Sequence, residues 1–262
     1  MACSPSRFPL AIRDRCQSLR DELKNSGIIS KNEAPTTESW INRFLLREKP
    51  NKELRVCLDP RPLNEALIRP YRLITKPIEL VDQVKDKWFT VFDFKHAFWQ
   101  VTLDDKSSHL CSFATPSGIY KFNRLPFGLN VSTKIFQRKA SKIFPCIPNV
   151  QIYIDDLLIS GKTIQEHDRA LQKVIEVALK NVKFNPKKIQ YRKESVLYLG
   201  YQLNFQGRAI KEDRAQAIVE IPTPKSKQAL QSFLGLVNYV REFIPGMSNI
   251  TSVFKDILDK KR

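Results

Sequence analysis

Two adjacent carboxylates, Asp155 and Asp156, stand between two apolar, β-branched runs, and a third, Asp93, closes another such run. Carboxylates gathered at one place repel one another unless a cation shares the site. Mg²⁺ prefers such oxygen ligands, and a pair of ions held by them supports in-line phosphoryl transfer. The three acids therefore predict a divalent-metal site. Taken singly, each acid is more typical of a tight turn or of a strand end that faces water.

The runs around these acids have the pattern of strands that would position them. Residues 150–161 predict a strand, a turn that carries Asp155 and Asp156, and a returning strand. Residues 88–93 predict a strand that ends at Asp93. If these strands are neighbours in one sheet, the three carboxylates lie at the same edge.

Helices and strands alternate along the rest of the chain, with prolines between them. Helices are predicted at 10–28 (ended by Gly27), 77–85, 132–144, 167–181 and 227–243 (with Ser226 as N-cap). The spacing in the 167–181 helix places Leu171, Val174, Ile175 and Ala178 on one face. Further strands are predicted at 98–103, 110–113, 195–200 and 201–205, and a β-hairpin with a basic tip at 44–58.

The composition indicates a folded protein with a polyanionic partner. Lys and Arg total 44 against 27 Asp and Glu in 262 residues, a formal charge of +17, and 42% of the residues are hydrophobic. Such a basic excess favours nucleic-acid binding, because neutralising phosphates releases counterions. A basic structural protein would carry the same charge.

Cysteine and hydropathy patterns exclude several other classes of protein. The five cysteines include no Cys-x-x-Cys spacing, and only three histidines accompany them, so neither a disulfide framework nor a zinc site is expected. No apolar run approaches the about 18 residues of a membrane span, and no signal peptide is evident. These patterns predict an intracellular protein without a membrane partner.

Eight ordered motifs resemble those of reverse transcriptases from gypsy-type long-terminal-repeat retrotransposons and their retroviral relatives. The similarity runs from about Arg7 to the end of the chain, through residues 54–64, 91–100, 112–116, 124–129, 135–137, 153–156, 198–200 and 232–239. The resemblance implies an α+β right-hand polymerase fold, with an antiparallel palm sheet backed by helices, β-hairpin fingers and a short helical thumb-like C-terminus. It implies fingers at 1–87, a palm at 88–205 with fingers segments near 105–145, and a thumb-like or connection segment at 206–262.

The same resemblance implies an RNA-directed DNA polymerase that extends a primer with dNTPs on an RNA or DNA template. Asp93 and Asp155 would hold two Mg²⁺ ions, with Mn²⁺ as an alternative, and Asp156 would be a secondary ligand or would orient the other acids. In the family this portion is fused to protease, ribonuclease H and integrase domains. The chain resembles an excised polymerase portion or a degenerate copy, acting in the cytoplasm, a virus-like particle or the nucleus. A catalytically inactive nucleic-acid-binding remnant is the alternative.

The basic hairpin carries the family's nucleotide-phosphate contacts. Arg55 matches an arginine that binds the incoming triphosphate, and Lys49 is the candidate for a second contact. Taken alone, Arg55 is more typical of an exposed strand residue, and only its place in Leu54-Arg-Val-Cys-Leu-Asp59 favours the triphosphate contact. The chain departs from the family at Glu48, where a lysine is usual, and at Lys52, where a turn glycine is usual. Repulsion by Glu48 is expected to weaken nucleotide binding.

Two aromatic positions and a glycine are expected beside the nucleotide. Phe98, five residues after Asp93, matches the aromatic that blocks a 2′-hydroxyl, which implies dNTP use. Phe127 and Gly128 match the segment beside the nascent base pair, where glycine allows close backbone approach. Both phenylalanines are also typical of a buried core.

The remaining candidates concern the template and primer. Gln137 resembles a template-side position, although a solvated glutamine has the same pattern. Tyr153 precedes the acids, and Leu199 with Gly200 resembles a primer grip or an ordinary buried hairpin. Lys187 and Lys188 continue the basic theme without an assigned role.

Overall fold

The computed structural model describes residues 13–33, 40–48, 54–68 and 76–259. Its helices are α1 (Arg13–Asn25), α2 (Arg61–Ala66), α3 (Pro77–Asp82), α4 (Asp105–Leu110), α5 (Ser132–Ile143), α6 (Ile164–Asn181), α7 (Glu212–Val219), α8 (Lys227–Tyr239) and α9 (Met247–Asp259). Its strands are β1 (Ile29–Lys31), β2 (Ile41–Glu48), β3 (Leu54–Asp59), β4 (Trp88–Asp93), β5 (Ser112–Thr115), β6 (Gly118–Phe122), β7 (Val150–Tyr153), β8 (Asp156–Gly161), β9 (Gln190–Lys193), β10 (Val196–Tyr198), β11 (Tyr201–Asn204) and β12 (Gly207–Ile210). Short 3₁₀ helices lie at Ala97–Gln100, Pro186–Lys188 and Arg241–Phe243.

The described strands form three sheets. One has the order β1-β6-β5-β2-β3, in which only β2 and β5 pair in parallel among the pairings of this sheet that the structure describes. The second has the order β7-β8-β4-β9, and the third is the antiparallel meander β10-β11-β12. This mixture of helices and mainly antiparallel sheets confirms the predicted α+β class.

The strands that carry the acids are buried along most of their length. Residues 89–92 of β4 and 157–161 of β8 are buried, whereas Asp93 and Asp156 at their ends are half-buried. A strand covered on both faces has a continuous apolar run in place of an alternating pattern. Asp93 at the end of β4 and Asp156 at the start of β8 are therefore partly exposed positions directly beside buried runs.

The chain divides into two compact units, each with its own core. The first comprises residues 1–75, 92–157 and 170–189, and the second comprises 76–91, 158–169 and 190–262. Stacked and edge-on rings pack the first, including Phe44 on Phe113 with centroids 4.8 Å apart. The second buries an apolar cluster formed by Val81, Val84, Phe89, Val91, Leu158, Val196, Tyr198 and Leu203.

Most of the predicted elements are confirmed, several with their caps. Helix α1 ends two residues before Gly27, whose φ of +69° is the left-handed conformation that terminates helices. Ser226 caps α8, and its hydroxyl accepts a hydrogen bond from Ala229 N at 3.1 Å. The hairpins β2-β3 and β10-β11 are present, as are α3, α5 and α6.

Two predictions of local structure are wrong. The strand predicted at 98–103 is a 3₁₀ helix at Ala97–Gln100, because the Gln100 side chain donates to Lys95 O and Lys183 O and holds the turn closed. The strand predicted at 110–113 begins only at Ser112, since Asp104 caps a helix that runs to Leu110. On the apolar face of α6, Leu171, Val174 and Ala178 are buried, whereas Ile175 is 43% exposed.

The buried histidine and the cysteines agree with structural roles. His167 is fully buried in the second unit, with Nε2 2.8 Å from Thr90 Oγ1 and Nδ1 2.9 Å from Asp168 Oδ1. Cys16, Cys111 and Cys146 are free thiols, and burial raises the pKa of Cys111 to about 12. Along the described parts of the chain, no helix combines the length and the apolar character needed to cross a membrane. The boundaries of fingers, palm and thumb stay predictions.

Candidate active site

The three predicted acids lie at neighbouring ends of chain segments in the first unit. Asp93 is the last residue of β4, Asp155 lies in the turn after β7, and Asp156 begins β8. The amide of Phe94, which follows Asp93, donates to the carbonyl of Asp155 at 2.8 Å. This backbone bond joins the two segments directly beside the acids.

Helix α5 holds the turn that carries Asp155 and Asp156. Ile154 has φ of +54°, which is unfavourable for a β-branched residue and needs support from its surroundings. Gln137 on α5 supplies that support, because its Oε1 accepts from Ile154 N at 2.6 Å and its Nε2 donates to Ile152 O at 3.0 Å. Both polar ends of this side chain therefore bind the backbone that leads into the acids, and its predicted template role stays a prediction.

The acids influence one another electrostatically. Burial raises the pKa of Asp156 to about 6, and repulsion by Asp155 and Asp93 adds to the shift, whereas the Lys188 ammonium opposes it. A raised carboxyl pKa means that the surroundings provide too little positive charge and hydrogen bonding to stabilise the ionised form. A cation at this edge would relieve the repulsion among the three groups.

Asp93 has a partner that no sequence pattern indicated. Lys188 Nζ lies 2.7 Å from Asp93 Oδ2, and Asn185 Nδ2 lies 3.4 Å from Asp93 Oδ1. The main chain adds a third contact, from Asn185 N to Asp93 O at 2.8 Å. The Asn-Pro-Lys-Lys segment was notable only as a basic run, since a partner 95 positions away leaves no local signal.

The carboxylate oxygens fit a hard divalent cation, although the three acids are not arranged as a complete coordination site. Asp93, Asp155 and Asp156 supply carboxylate oxygens, the ligands that Mg²⁺ and Mn²⁺ favour. Among the described residues, no three His, Cys, Asp or Glu side chains stand close enough together to form a ready-made metal site. The contact between Lys188 and Asp93 takes up one of the oxygens that such a site would need.

A set of packed rings holds Phe98 beside Phe127. The Phe98 ring lies 4.9 Å from Phe127 and 6.0 Å from Phe136, measured between centroids, and Trp99 meets Phe127 edge-on at 5.8 Å. Phe136 continues the packing to Phe94, the residue after Asp93, at 5.3 Å. Phe98 as a whole is half-buried.

Gly128 lies where no side chain fits. Its φ is +113°, and a Cβ added there would stand 2.0 Å from the carbonyl oxygen of Leu58 on β3. Leu58 N also donates to Phe127 O at 3.0 Å, which joins this loop to the hairpin strand. A glycine is therefore needed here for the close packing of this loop on β3, and the predicted place of Gly128 beside the nascent base pair stays a prediction.

The other candidates are placed in part. Tyr153 ends β7 and is half-buried. Leu199 and Gly200 belong to the second unit and form the two-residue turn between β10 and β11, with φ of +49° and +87°. Lys49 lies outside the described residues, as does the side chain of Arg55, whose backbone pairs with Arg47 across the hairpin. Glu48 forms an ion pair with Arg15 at 3.1 Å.

Comparisons with known proteins agree with the motifs. The sequence profile of the reverse transcriptase (RNA-dependent DNA polymerase) family matches residues 47–203. The chain is 30% identical over 249 residues to the Pol polyprotein of transposon 297 and 32% identical over 245 residues to that of transposon gypsy, both from Drosophila melanogaster. These alignments cover 92% and 90% of the chain but only 23% and 24% of the relatives, so it spans about a quarter of their length.

A solved structure shares the fold over the whole chain. A foamy viral protease-reverse transcriptase in complex with double-stranded DNA superposes with a TM-score of 0.90 and 23% identity, covering 100% of this chain and 46% of that one. The fold and the profile that spans more than half of the sequence lead to one conclusion. The chain belongs to the reverse transcriptase (RNA-dependent DNA polymerase) family.

Proposed function

We propose that this chain is an RNA-directed DNA polymerase that extends a primer with dNTPs on an RNA or DNA template. The observation that carries the proposal is the grouping of Asp93, Asp155 and Asp156, joined by the bond from Phe94 N to Asp155 O. Polymerisation requires a group of carboxylates that can hold cations beside the reacting phosphate. Membership of the family and the shared fold support the same activity.

Asp93 and Asp155 would hold two Mg²⁺ ions, or Mn²⁺ in their place, with Asp156 as a secondary ligand or as a group that orients the other acids. When bound, such ions lower the pKa of a hydroxyl nucleophile and stabilise charge on the phosphates. The protein's own contribution is positioning. Gln137 fixes the turn before Asp155, and the bond from Phe94 fixes that turn against the end of β4. No protein nucleophile is needed.

Phe98 is proposed to select deoxynucleotides. Its ring is held by Phe127 and Phe136 and cannot turn aside easily, so a 2′-hydroxyl placed against it would overlap with the ring. Phe127 and Gly128 would lie beside the nascent base pair. Arg55 and Lys49 are proposed to bind the triphosphate, and the pairing of Glu48 with Arg15 would reduce the repulsion expected from Glu48.

A template–primer duplex is the proposed macromolecular partner, in line with the formal charge of +17 and with the DNA bound in the foamy viral relative. Tyr153, Leu199 and Gly200 are proposed to contact the primer, and Gln137 to lie on the template side. As in retrotransposon polyproteins, protease, ribonuclease H and integrase domains would accompany the polymerase. We propose that it acts in the cytoplasm, a virus-like particle or the nucleus.

Primer extension on poly(rA)/oligo(dT) with dTTP and Mg²⁺ tests the activity. The native chain is compared with Asp155→Asn and with Glu65→Gln, a matched removal of one negative charge from an exposed position on α2. We expect extension by the native chain and by Glu65→Gln, and a fall of about a hundredfold or more in Asp155→Asn, because one metal ligand is lost.

Binding separates the polymerase from an inactive remnant. All three proteins should retain the hybrid duplex in a filter-binding assay and unfold at similar temperatures. Tight binding by the native chain without any extension would overturn the catalytic proposal and leave a nucleic-acid-binding remnant.

A further inference from the structure

The ion pair between Lys188 and Asp93 joins a largely exposed, flexible lysine side chain to a mostly buried aspartate side chain. The Lys188 side chain is 61% exposed, whereas that of Asp93 is 16% exposed. Lysine carries a flexible four-carbon stem with a compact charge at its end. The ammonium can therefore leave Asp93 for solvent, while the carboxylate stays at the end of β4.

The backbone under Lys188 is anchored to the same acid. Asn185 N donates to Asp93 O at 2.8 Å, and Asn185 Oδ1 accepts from Lys187 N at 3.2 Å, which begins the 3₁₀ turn Pro186–Lys188. Lys188 N closes this turn onto Asn185 O at 3.1 Å. Departure of the ammonium would leave these backbone contacts unchanged, so it can return to the same place.

Among the described residues, the side chains of Lys188 and Asn185 contact the Asp93 carboxylate, and Lys188 is the one that a cation can displace. Asn185 contacts Oδ1 weakly, at 3.4 Å, through an uncharged amide, whereas the ammonium on Oδ2 carries the positive charge that a metal ion would replace. The ammonium also attracts Asp156, so its influence extends over the acidic group. Two cations cannot share one carboxylate oxygen without repelling each other.

We propose that Lys188 is an exchangeable counterion of Asp93, whose ammonium occupies a carboxylate oxygen until a divalent cation displaces it. Lys188 thus compensates part of the repulsion among the acids in the metal-free protein. It also weakens metal binding, because an existing contact must break first. This inference rests on the proposed function, since it concerns the ion that those acids are proposed to hold.

Mn²⁺ affinity tests the proposed role of Lys188. It is measured on the protein without nucleic acid or nucleotide, and free Mn²⁺ is followed by electron paramagnetic resonance. Lys188→Met keeps the length of the stem and removes the charge. We expect it to bind Mn²⁺ about tenfold more tightly, the effect of one competing charge-assisted hydrogen bond. Lys188→Arg should bind as the native chain does. Lys187→Met removes the same charge one residue away and should differ from the native chain by less than about twofold, as screened charges do.

Two results would overturn the counterion. One is unchanged or weaker Mn²⁺ binding by Lys188→Met, and the other is an equal gain in Lys187→Met, which would reflect net charge alone. The variant Asp93→Asn distinguishes failure of the counterion role from failure of the proposed metal site. Suppose that the native chain binds Mn²⁺ and Asp93→Asn does not. If Lys188→Met then has the same Mn²⁺ affinity as the native chain, only the counterion role of Lys188 is refuted. If neither the native chain nor any variant binds Mn²⁺, the proposed metal site fails and the counterion with it.

Discussion

At the scale of single residues, Asp156 has the property most easily measured without a substrate. Its pKa is raised from 3.8 to about 6, first by burial and then by Asp155 and Asp93. Between about pH 4 and pH 6 the folded protein keeps a proton that the unfolded chain has lost, so the free energy of unfolding falls as the pH rises through this window. Above about pH 6 the full cost of the ionised group is present.

Asp156→Asn should therefore be more stable than the native metal-free chain at neutral pH. We expect a gain of about 1–2 kcal/mol at about pH 7.5, after allowing for solvent screening, and almost none at about pH 4, where both side chains are uncharged. Urea unfolding in EDTA at the two pH values measures the difference. An equal gain in stability at both pH values would show that ionisation of Asp156 is not the cause of the gain. Glu65→Gln, on exposed α2, is the control and should change little at either pH.

Gln137 also acts at the residue scale, through the backbone that it holds. Gln137→Met removes the hydrogen bonds to Ile154 N and Ile152 O and leaves both groups without this partner. We expect a loss of about 1–2 kcal/mol in the free energy of unfolding. Because displacement of the acids impairs positioning, kcat for primer extension should fall by about tenfold or more while KM for the nucleotide changes little.

A matched substitution elsewhere calibrates this expectation. Gln172→Met removes a hydrogen bond to Glu176 on the exposed face of α6 and should cost no more than about 0.5 kcal/mol. If Gln137→Met keeps the native kcat but binds the duplex more weakly, Gln137 acts on the template side and the positioning role is wrong.

At the scale of elements, the turn between β10 and β11 depends on its glycine. Both residues of this two-residue loop have positive φ, +49° at Leu199 and +87° at Gly200, the geometry that matches the twist of a hairpin. Gly200→Ala should therefore lower the free energy of unfolding by about 1–2 kcal/mol, because a Cβ disfavours this conformation.

The same substitution at Gly235 should have the opposite sign. Gly235 lies within α8, and a Cβ added there meets nothing within 4 Å. Gly235→Ala is expected to stabilise the protein by about 0.5–1 kcal/mol, because alanine favours a helix. Urea unfolding of both variants provides the comparison, and loss of stability in both would mean that the turn is not the reason for the loss in Gly200→Ala.

Elements whose signals are local were predicted from the sequence, and contacts between distant segments were not. The Asp155 hairpin, α6 and the Ser226 cap follow from neighbouring residues. The turn at Ala97–Gln100 was mistaken for a strand because its stability comes from Gln100 bonds to Lys183, 83 positions away. The three acids were found from type and spacing, whereas the partners Lys188 and Gln137 depend on tertiary contacts that the sequence alone does not encode in a visible pattern.

At the scale of the whole molecule, the formal charge of +17 should control duplex binding. A chain that neutralises about six phosphates loses about 10³ in affinity between 50 and 200 mM salt, largely independently of sequence. We expect such a steep salt dependence for an RNA/DNA hybrid and for a duplex of scrambled sequence, measured by fluorescence anisotropy. A flat dependence, or strong preference for one sequence, would contradict a backbone-directed mode of binding.

One substitution should distinguish the contribution of the acids to catalysis from the contribution of the basic residues to duplex binding. Asp155→Asn removes an anion from the region that is proposed to meet phosphates, so duplex affinity should be unchanged or slightly higher and the salt dependence should be the same. Extension should nevertheless be lost, because binding depends on total charge and catalysis on the placement of three carboxylates. Anisotropy and primer extension on the same preparations test both halves. A parallel loss of affinity and extension in Asp155→Asn would mean that this turn also supports the duplex, and that charge and chemistry are not independent in this chain.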